Sequence, residues 1–210
     1  MTEAACRLYL TTPDGLAAAP ALEAFTPRLE AALAAGDVAA LLIRRDEMDD
    51  HALARAAARL GPPAQALGVA VLVEDSARIA ATVDGVHLTT AGPKISALRQ
   101  EIGPEAIVGV ECGRSKHLAM KAGEAGADYI AFGLGQPLAD NDLELVAWWQ
   151  EMMVVPQVVM TTPSLEGAGD LARAGADFLA LGAPIWDHPE GPARAVEAFS
   201  QALALGAGRC

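Results

Sequence analysis

Short apolar runs rich in β-branched residues alternate along the chain with longer, alanine-rich stretches, and turn residues stand between them. The runs predict strands at Arg7 to Thr11, Ala39 to Arg44, Val69 to Val73, Gly85 to Leu88, Ile107 to Glu111, Tyr129 to Gly133, Gln157 to Met160 and Phe178 to Leu181. A predicted helix follows each: Leu22 to Ala35, Asp49 to Ala66, Ser76 to Thr82, Ile95 to Ile102, Ser115 to Ala125, Asp142 to Met153, Ser164 to Ala174 and Pro192 to Leu205. Asp142 and Ser164 stand as N-caps, Glu47 to Asp50 put negative charge at a helix start, and Gly36, Gly126 and Gly175 stand where C-caps belong. Strands apolar at nearly every position are buried on both faces, which with end-to-end strand-helix alternation means a parallel sheet. The eight units predict an α/β fold, a closed (β/α)8 TIM barrel forming a single domain over residues 1–210, with an open doubly wound sheet as the alternative. The repeat Ala-Gly-Ala-Asp, at Ala125 to Asp128 and Ala174 to Asp177, marks a shared helix-to-strand turn at the barrel's stability face.

Composition narrows the class. With 52% hydrophobic residues and a mean hydropathy of +0.27, the chain has a large core and is not disordered. No apolar run approaches the roughly 20 residues of a membrane span, and MTEAACRLYLTT does not read as a signal peptide, so a cytoplasmic location is expected. A formal charge of -12 opposes binding to nucleic acid and to anionic lipid. The three cysteines, Cys6, Cys112 and Cys210, show no CxxC spacing and are expected to be reduced. Trp148 and Trp149 lie about 100° apart on a helix. One can face the sheet while the other marks a contact with a second copy of the chain.

Barrel function is built where strands end. The polar residues there are Thr11 and Thr12, Arg44 and Arg45, Glu74 and Asp75, His87 with Thr89 and Thr90, Glu111, Gln136, and Thr161 with Thr162, while Gly182 and Ala183 follow the last strand. Acids at strand ends suit a divalent cation through oxygen ligands, or a general base, and spacing does not choose between them. Glu74 and Asp75 also suit a charged N-cap of the next helix. Glu111, directly after Ile107 to Val110, is the candidate pocket acid. His87 suits acid-base work or a packed, hydrogen-bonded place. No G-x-x-x-x-G-K-[ST], G-x-S-x-G or H-E-x-x-H motif occurs.

The ordered segments RLYLTT, IRRDE, LVEDSARIAATVDGVHL, AIVGVECG, AGEAGADYIAFG and AGADFLALGAPIW resemble the thiamine phosphate synthase family and its thiazole-tautomerase relatives over most of the chain. The resemblance implies a (β/α)8 barrel and, for the synthases, the joining of a pyrimidine diphosphate to a thiazole phosphate with release of pyrophosphate and use of Mg²⁺. The family's diphosphate motif Gln-x-Arg-x-Lys falls on Leu42, Arg44 and Asp46, so only the arginine matches. Its Asn-Asp-Arg falls on Glu74, Asp75 and Ser76, which makes Asp75 the implied metal ligand with Glu74 beside it. The second metal aspartate aligns with Gly92, and a serine after the fifth strand with Glu111, whose charge repels phosphate. GLGQPLADND replaces a Thr-x-Thr-Lys loop. Met160 to Pro163 replace a Gly-Gly phosphate loop, leaving the hydroxyls of Thr161 and Thr162 as binding groups, and the serine after strand eight becomes Gly182 or Ala183.

Cations and metal ligands are lost and an acid is gained. The expectation is therefore a divergent paralogue with weak or no synthase activity and weak Mg²⁺ binding. Its small-molecule pocket, lined by Arg44, Asp75 and Glu111, takes a ligand that is phosphorylated if the resemblance carries through. Glu111 or His87 then supplies any proton transfer. A genuine Mg²⁺-dependent synthase and a non-catalytic binding protein are the alternatives.

Overall fold

The computed structural model describes residues 5–90 and 95–207. Gly92 and Cys210 lie outside them. The chain runs β1 (Arg7–Thr11), α1 (Ala19–Leu33), β2 (Val38–Ile43), α2 (Asp50–Gln65), β3 (Ala70–Glu74), α3 (Ala77–Ala80), β4 (Gly85–Leu88) and α4 (Ile95–Ile102). It continues with β5 (Ile107–Glu111), α5 (Lys116–Glu124), β6 (Tyr129–Gly133), α6 (Asp140–Met152), β7 (Gln157–Met160), α7 (Leu165–Arg173), β8 (Phe178–Leu181), α8 (Ala183–Trp186) and α9 (Pro192–Ala207). The strands pair in chain order, all parallel, and β8 closes on β1. This is the predicted (β/α)8 barrel, and the open sheet is excluded.

Alternate strand positions divide the core in two, as the two-residue strand period requires. Leu10, Leu41, Val71, Val86, Val108, Phe132, Val159 and Leu179 face outward under the helices, in one cluster with Leu29, Leu53, Leu60 and Phe199. Tyr9, Ala40, Leu42, Leu72, Tyr129, Ala131, Val158 and Ala180 face inward and fill the barrel. Alanines on three of these positions leave room for two tyrosine rings, and the chain contains only those two tyrosines.

An aspartate precedes every even-numbered strand and ties it to the preceding odd one. Asp84 accepts from Val71 N at 2.7 Å, Asp128 from Val108 N at 2.7 Å and Asp177 from Gln157 N at 2.9 Å, while Asp37 holds the Arg7 guanidinium at 2.6 Å. Asp84, Asp128 and Asp177 satisfy backbone donors at strand starts, and Asp37 holds a side chain there. The Ala-Gly-Ala-Asp repeat thus sets strand register, and Gly126 and Gly175 turn it at φ of 93° and 94°.

Local differences from the sequence pattern have physical causes. Asp142 is the third residue of α6, not its N-cap, and its carboxylate reaches back to accept from Ala139 N at 2.9 Å. Ser164 is the N-cap of α7, accepting from Gly167 N. Gly36 lies beyond the α1 C-cap, Ala34, and serves close packing instead: a Cβ there would stand 2.8 Å from Val196 Cγ1. Helix α3 is a single turn, and α8 is an additional turn that no apolar periodicity announced. Trp149 is buried against Phe132, whereas Trp148 lies partly exposed beneath Lys116. No described helix is long and apolar enough to cross a membrane.

Candidate active site

The inward register that carries Tyr9, Leu42, Leu72 and Tyr129 delivers Thr11, Arg44, Glu74, His87, Glu111, Gly133, Met160 and Gly182 to the C-terminal mouth. Strand β3 runs one residue further than its apolar run, so Glu74 ends the strand instead of capping a helix. Its carboxylate accepts from Arg45 N at 2.8 Å and lies 3.8 Å from Arg44 Nε. Arg44 also pairs with Asp14 at 2.6 Å, and its backbone N–H donates to Thr12 Oγ1. The guanidinium keeps 39% of its side-chain surface exposed, open to an anion in the mouth.

Asp75 does not cap α3 either. It takes a left-handed φ of 47°, a strained state for a residue with a side chain, and its carboxylate accepts from Thr89 N at 3.0 Å and from the Thr89 hydroxyl. Asp46, at φ 41° in the preceding loop, accepts from Gly15 N. Among the described residues no three His, Cys, Asp or Glu side chains come together to hold a metal. Glu74, Asp75 and Glu111 therefore do not form a shared cation site on their own.

Beneath the mouth lies a buried polar chain. Tyr9 Oη and Tyr129 Oη are 3.0 Å apart, Tyr129 Oη is 2.8 Å from His87 Nδ1, and His87 Nε2 is 4.0 Å from Glu111 Oε2. Gly109 makes the chain possible, because a Cβ there would sit 1.9 Å from Tyr129 Cζ and expel the ring. Burial raises the pKa of both tyrosines, so both stay protonated donors. Where Tyr9 donates to Tyr129 and Tyr129 to His87 Nδ1, the proton of a neutral imidazole lies on Nε2, which faces the Glu111 carboxylate at 4.0 Å without a hydrogen-bond partner. His87 is only 1% exposed, whereas Glu111 is 35% exposed at the mouth. Burial, then Glu111, pushes the Cys112 thiol up to about 11, away from the thiolate form.

Thr161 accepts from Gln136 Nε2 at 2.6 Å, and Thr162 is exposed. Gly182 lies against Thr11, and Ala183 begins α8, a short extra helix after β8. These four residues stand on the β7 and β8 side and make no hydrogen bond to Arg44, Glu74 or Glu111. The tyrosine chain and Asp14 escaped the sequence reading. Two inward-facing tyrosines, on β1 and β6, were the available signal for the chain, and nothing marked Asp14.

A family model described as thiamine monophosphate synthase matches residues 8–185. The chain is 45% identical over 208 residues to a thiamine-phosphate synthase of Rhodospirillum centenum, covering 94% of this chain and 98% of that one. It is 41% identical to a thiamine-phosphate synthase of Hyphomonas neptunium, covering 92% of each. Among solved structures, the thiamine phosphate pyrophosphorylase of Pyrococcus furiosus superposes with a TM-score of 0.81 at 22% identity, over 96% of this chain and 97% of that one. At that identity the superposition speaks for the fold.

Proposed function

The chain belongs to the thiamine monophosphate synthase family, and we propose that it is a working synthase, joining a pyrimidine diphosphate to a thiazole phosphate with release of pyrophosphate. The observation that carries this reading is the 45% identity to a protein of that name along 98% of its length. A lost activity would have to be placed on a barrel whose sequence remains that close to its relatives end to end. The comparisons therefore favour the genuine synthase over the inactive paralogue that the missing lysines suggested.

The residues divide by charge. Arg44, exposed in the mouth and matching the family's diphosphate motif, is assigned to the leaving diphosphate. The hydroxyls of Thr161 and Thr162 and the backbone at Gly182 and Ala183 are assigned to the thiazole phosphate, at the place where barrels commonly hold phosphate. Mg²⁺ fits as an ion that arrives with the substrate. Magnesium is commonly held by one or two carboxylates with phosphate oxygens and water completing its shell, so no all-protein cage is required. Asp75, its oxygens fixed by Thr89 yet each with a lone pair left, is the ligand for it, with Glu74 next along the chain. When bound, the ion neutralises charge on the departing diphosphate. Pyrophosphate release by purified protein supplied with both substrates and Mg²⁺ tests the assignment. Release that requires both substrates is expected, and none above background would refute it.

A further inference from the structure

Glu111 is the residue least suited to phosphate chemistry, yet the fold builds a support beneath it. Its Oε1 is fitted against Gly133, where a Cβ would come to 3.3 Å, and its Oε2 faces His87 Nε2 at 4.0 Å. That nitrogen is buried and has no hydrogen-bond partner, while the other ring nitrogen is held by Tyr129 at 2.8 Å. A rotation of Glu111 that closed this gap would make a charge-assisted hydrogen bond. The result is a carboxylate held at the base of the mouth, with one edge turned toward the site.

A fixed carboxylate repels both phosphate groups, and a thiazole ring carries no N–H for it to accept. The aminopyrimidine of thiamine offers the complementary donor: an exocyclic amino group whose N–H a carboxylate oxygen accepts, with a second contact at the neighbouring ring nitrogen only where that nitrogen carries a proton. We infer that Glu111 is the specificity-determining residue for the amino edge of the pyrimidine substrate, and that His87, held by the tyrosine chain, is its positioning residue. This inference rests on the synthase reading and extends it to the ring.

Titration calorimetry without thiazole phosphate, so that no turnover occurs, would compare the pyrimidine diphosphate with its 4-oxo analogue in the presence of Mg²⁺. The wild-type protein should favour the amino compound by at least about tenfold, the lower end of what one charge-assisted hydrogen bond contributes. Glu111→Gln should bring the two affinities to within about threefold. His87→Phe should do the same, and His87→Gln, which restores an N–H donor, should recover the preference. Melting temperatures confirm that each variant is folded. Equal affinity in the wild type, or a preference that survives in Glu111→Gln, overturns the inference. A selective wild type that forms no thiamine phosphate would sink the synthase reading and leave this one standing. Turnover with an indifferent Glu111→Gln would do the reverse.

Discussion

Replacing Tyr129 by phenylalanine removes one oxygen atom but strands two groups, since that hydroxyl is the shared partner of Tyr9 Oη and His87 Nδ1. A buried polar group left unpaired costs about 1–3 kcal/mol, so Tyr129→Phe should destabilise by about 2–6 kcal/mol. Tyr9→Phe, the same chemical change at the other end, strands nothing, because Tyr129 still has His87. It should cost only the net worth of one hydrogen bond, about 0.5–1.5 kcal/mol. The double variant strands His87 Nδ1 alone, at about 1–3 kcal/mol, so adding Tyr9→Phe to Tyr129→Phe should recover stability. For a chain of this size each kcal/mol moves the melting temperature by roughly 2–4 °C. Differential scanning calorimetry of the four proteins should therefore rank them wild type, Tyr9→Phe, double variant, Tyr129→Phe. A double variant that melts at or below Tyr129→Phe would refute the shared-partner geometry, and with it the proton order that aims His87 Nε2 at Glu111.

Other consequences are more local. Burial raises the Asp177 carboxyl above its ordinary value, so the folded chain holds a proton there that the unfolded chain, titrating near ~3.9, has lost. Stability therefore falls as pH rises through that window. Asp177→Asn, still able to accept from Gln157 N, should melt higher than the wild type at neutral pH and level with it at pH values below the unfolded pKa; a deficit equal at both would contradict the assignment. Arg44→Ala should weaken binding of the pyrimidine diphosphate by about 10- to 150-fold, the worth of one charge-assisted contact, and unchanged affinity would remove Arg44 from the site. Free Mg²⁺ should raise the melting temperature only at high concentration, whereas Mg²⁺ with the pyrimidine diphosphate should act at low concentration. A large shift from low metal alone would mean that the protein holds a complete site of its own.

The barrel was legible because its signal repeats. Runs such as Val69 to Val73 and Phe178 to Leu181 are too apolar for half-exposed strands, and each is followed by a helical stretch, so eight copies of one pattern outweigh errors at any single boundary. Glu74 was ambiguous between strand end and helix cap because both precede a helix; inward register decided it. The mouth residues were found by counting strand ends, which is a one-dimensional operation. Asp14 depends on the path of the loop after β1 beside its neighbour β2, and the Tyr9, Tyr129 and His87 chain depends on side chains of β1, β6 and β4 meeting inside the closed barrel. The motif departures were equally visible, and charge counting read them as lost activity, which the proposed synthase function sets aside. A diphosphate that brings its own Mg²⁺ needs fewer cationic side chains than the missing lysines imply.

A mouth with one matching arginine and a supported glutamate is proposed here to carry out the transfer. The most direct test of that proposal is mass-spectrometric detection of thiamine phosphate made by the purified protein from pyrimidine diphosphate, thiazole phosphate and Mg²⁺, beside the Rhodospirillum centenum relative. A kcat/KM within about tenfold of that relative is expected, a barrier difference near 1.4 kcal/mol. Product formation indistinguishable from the reaction without enzyme, by a folded protein at saturating substrates, would contradict it.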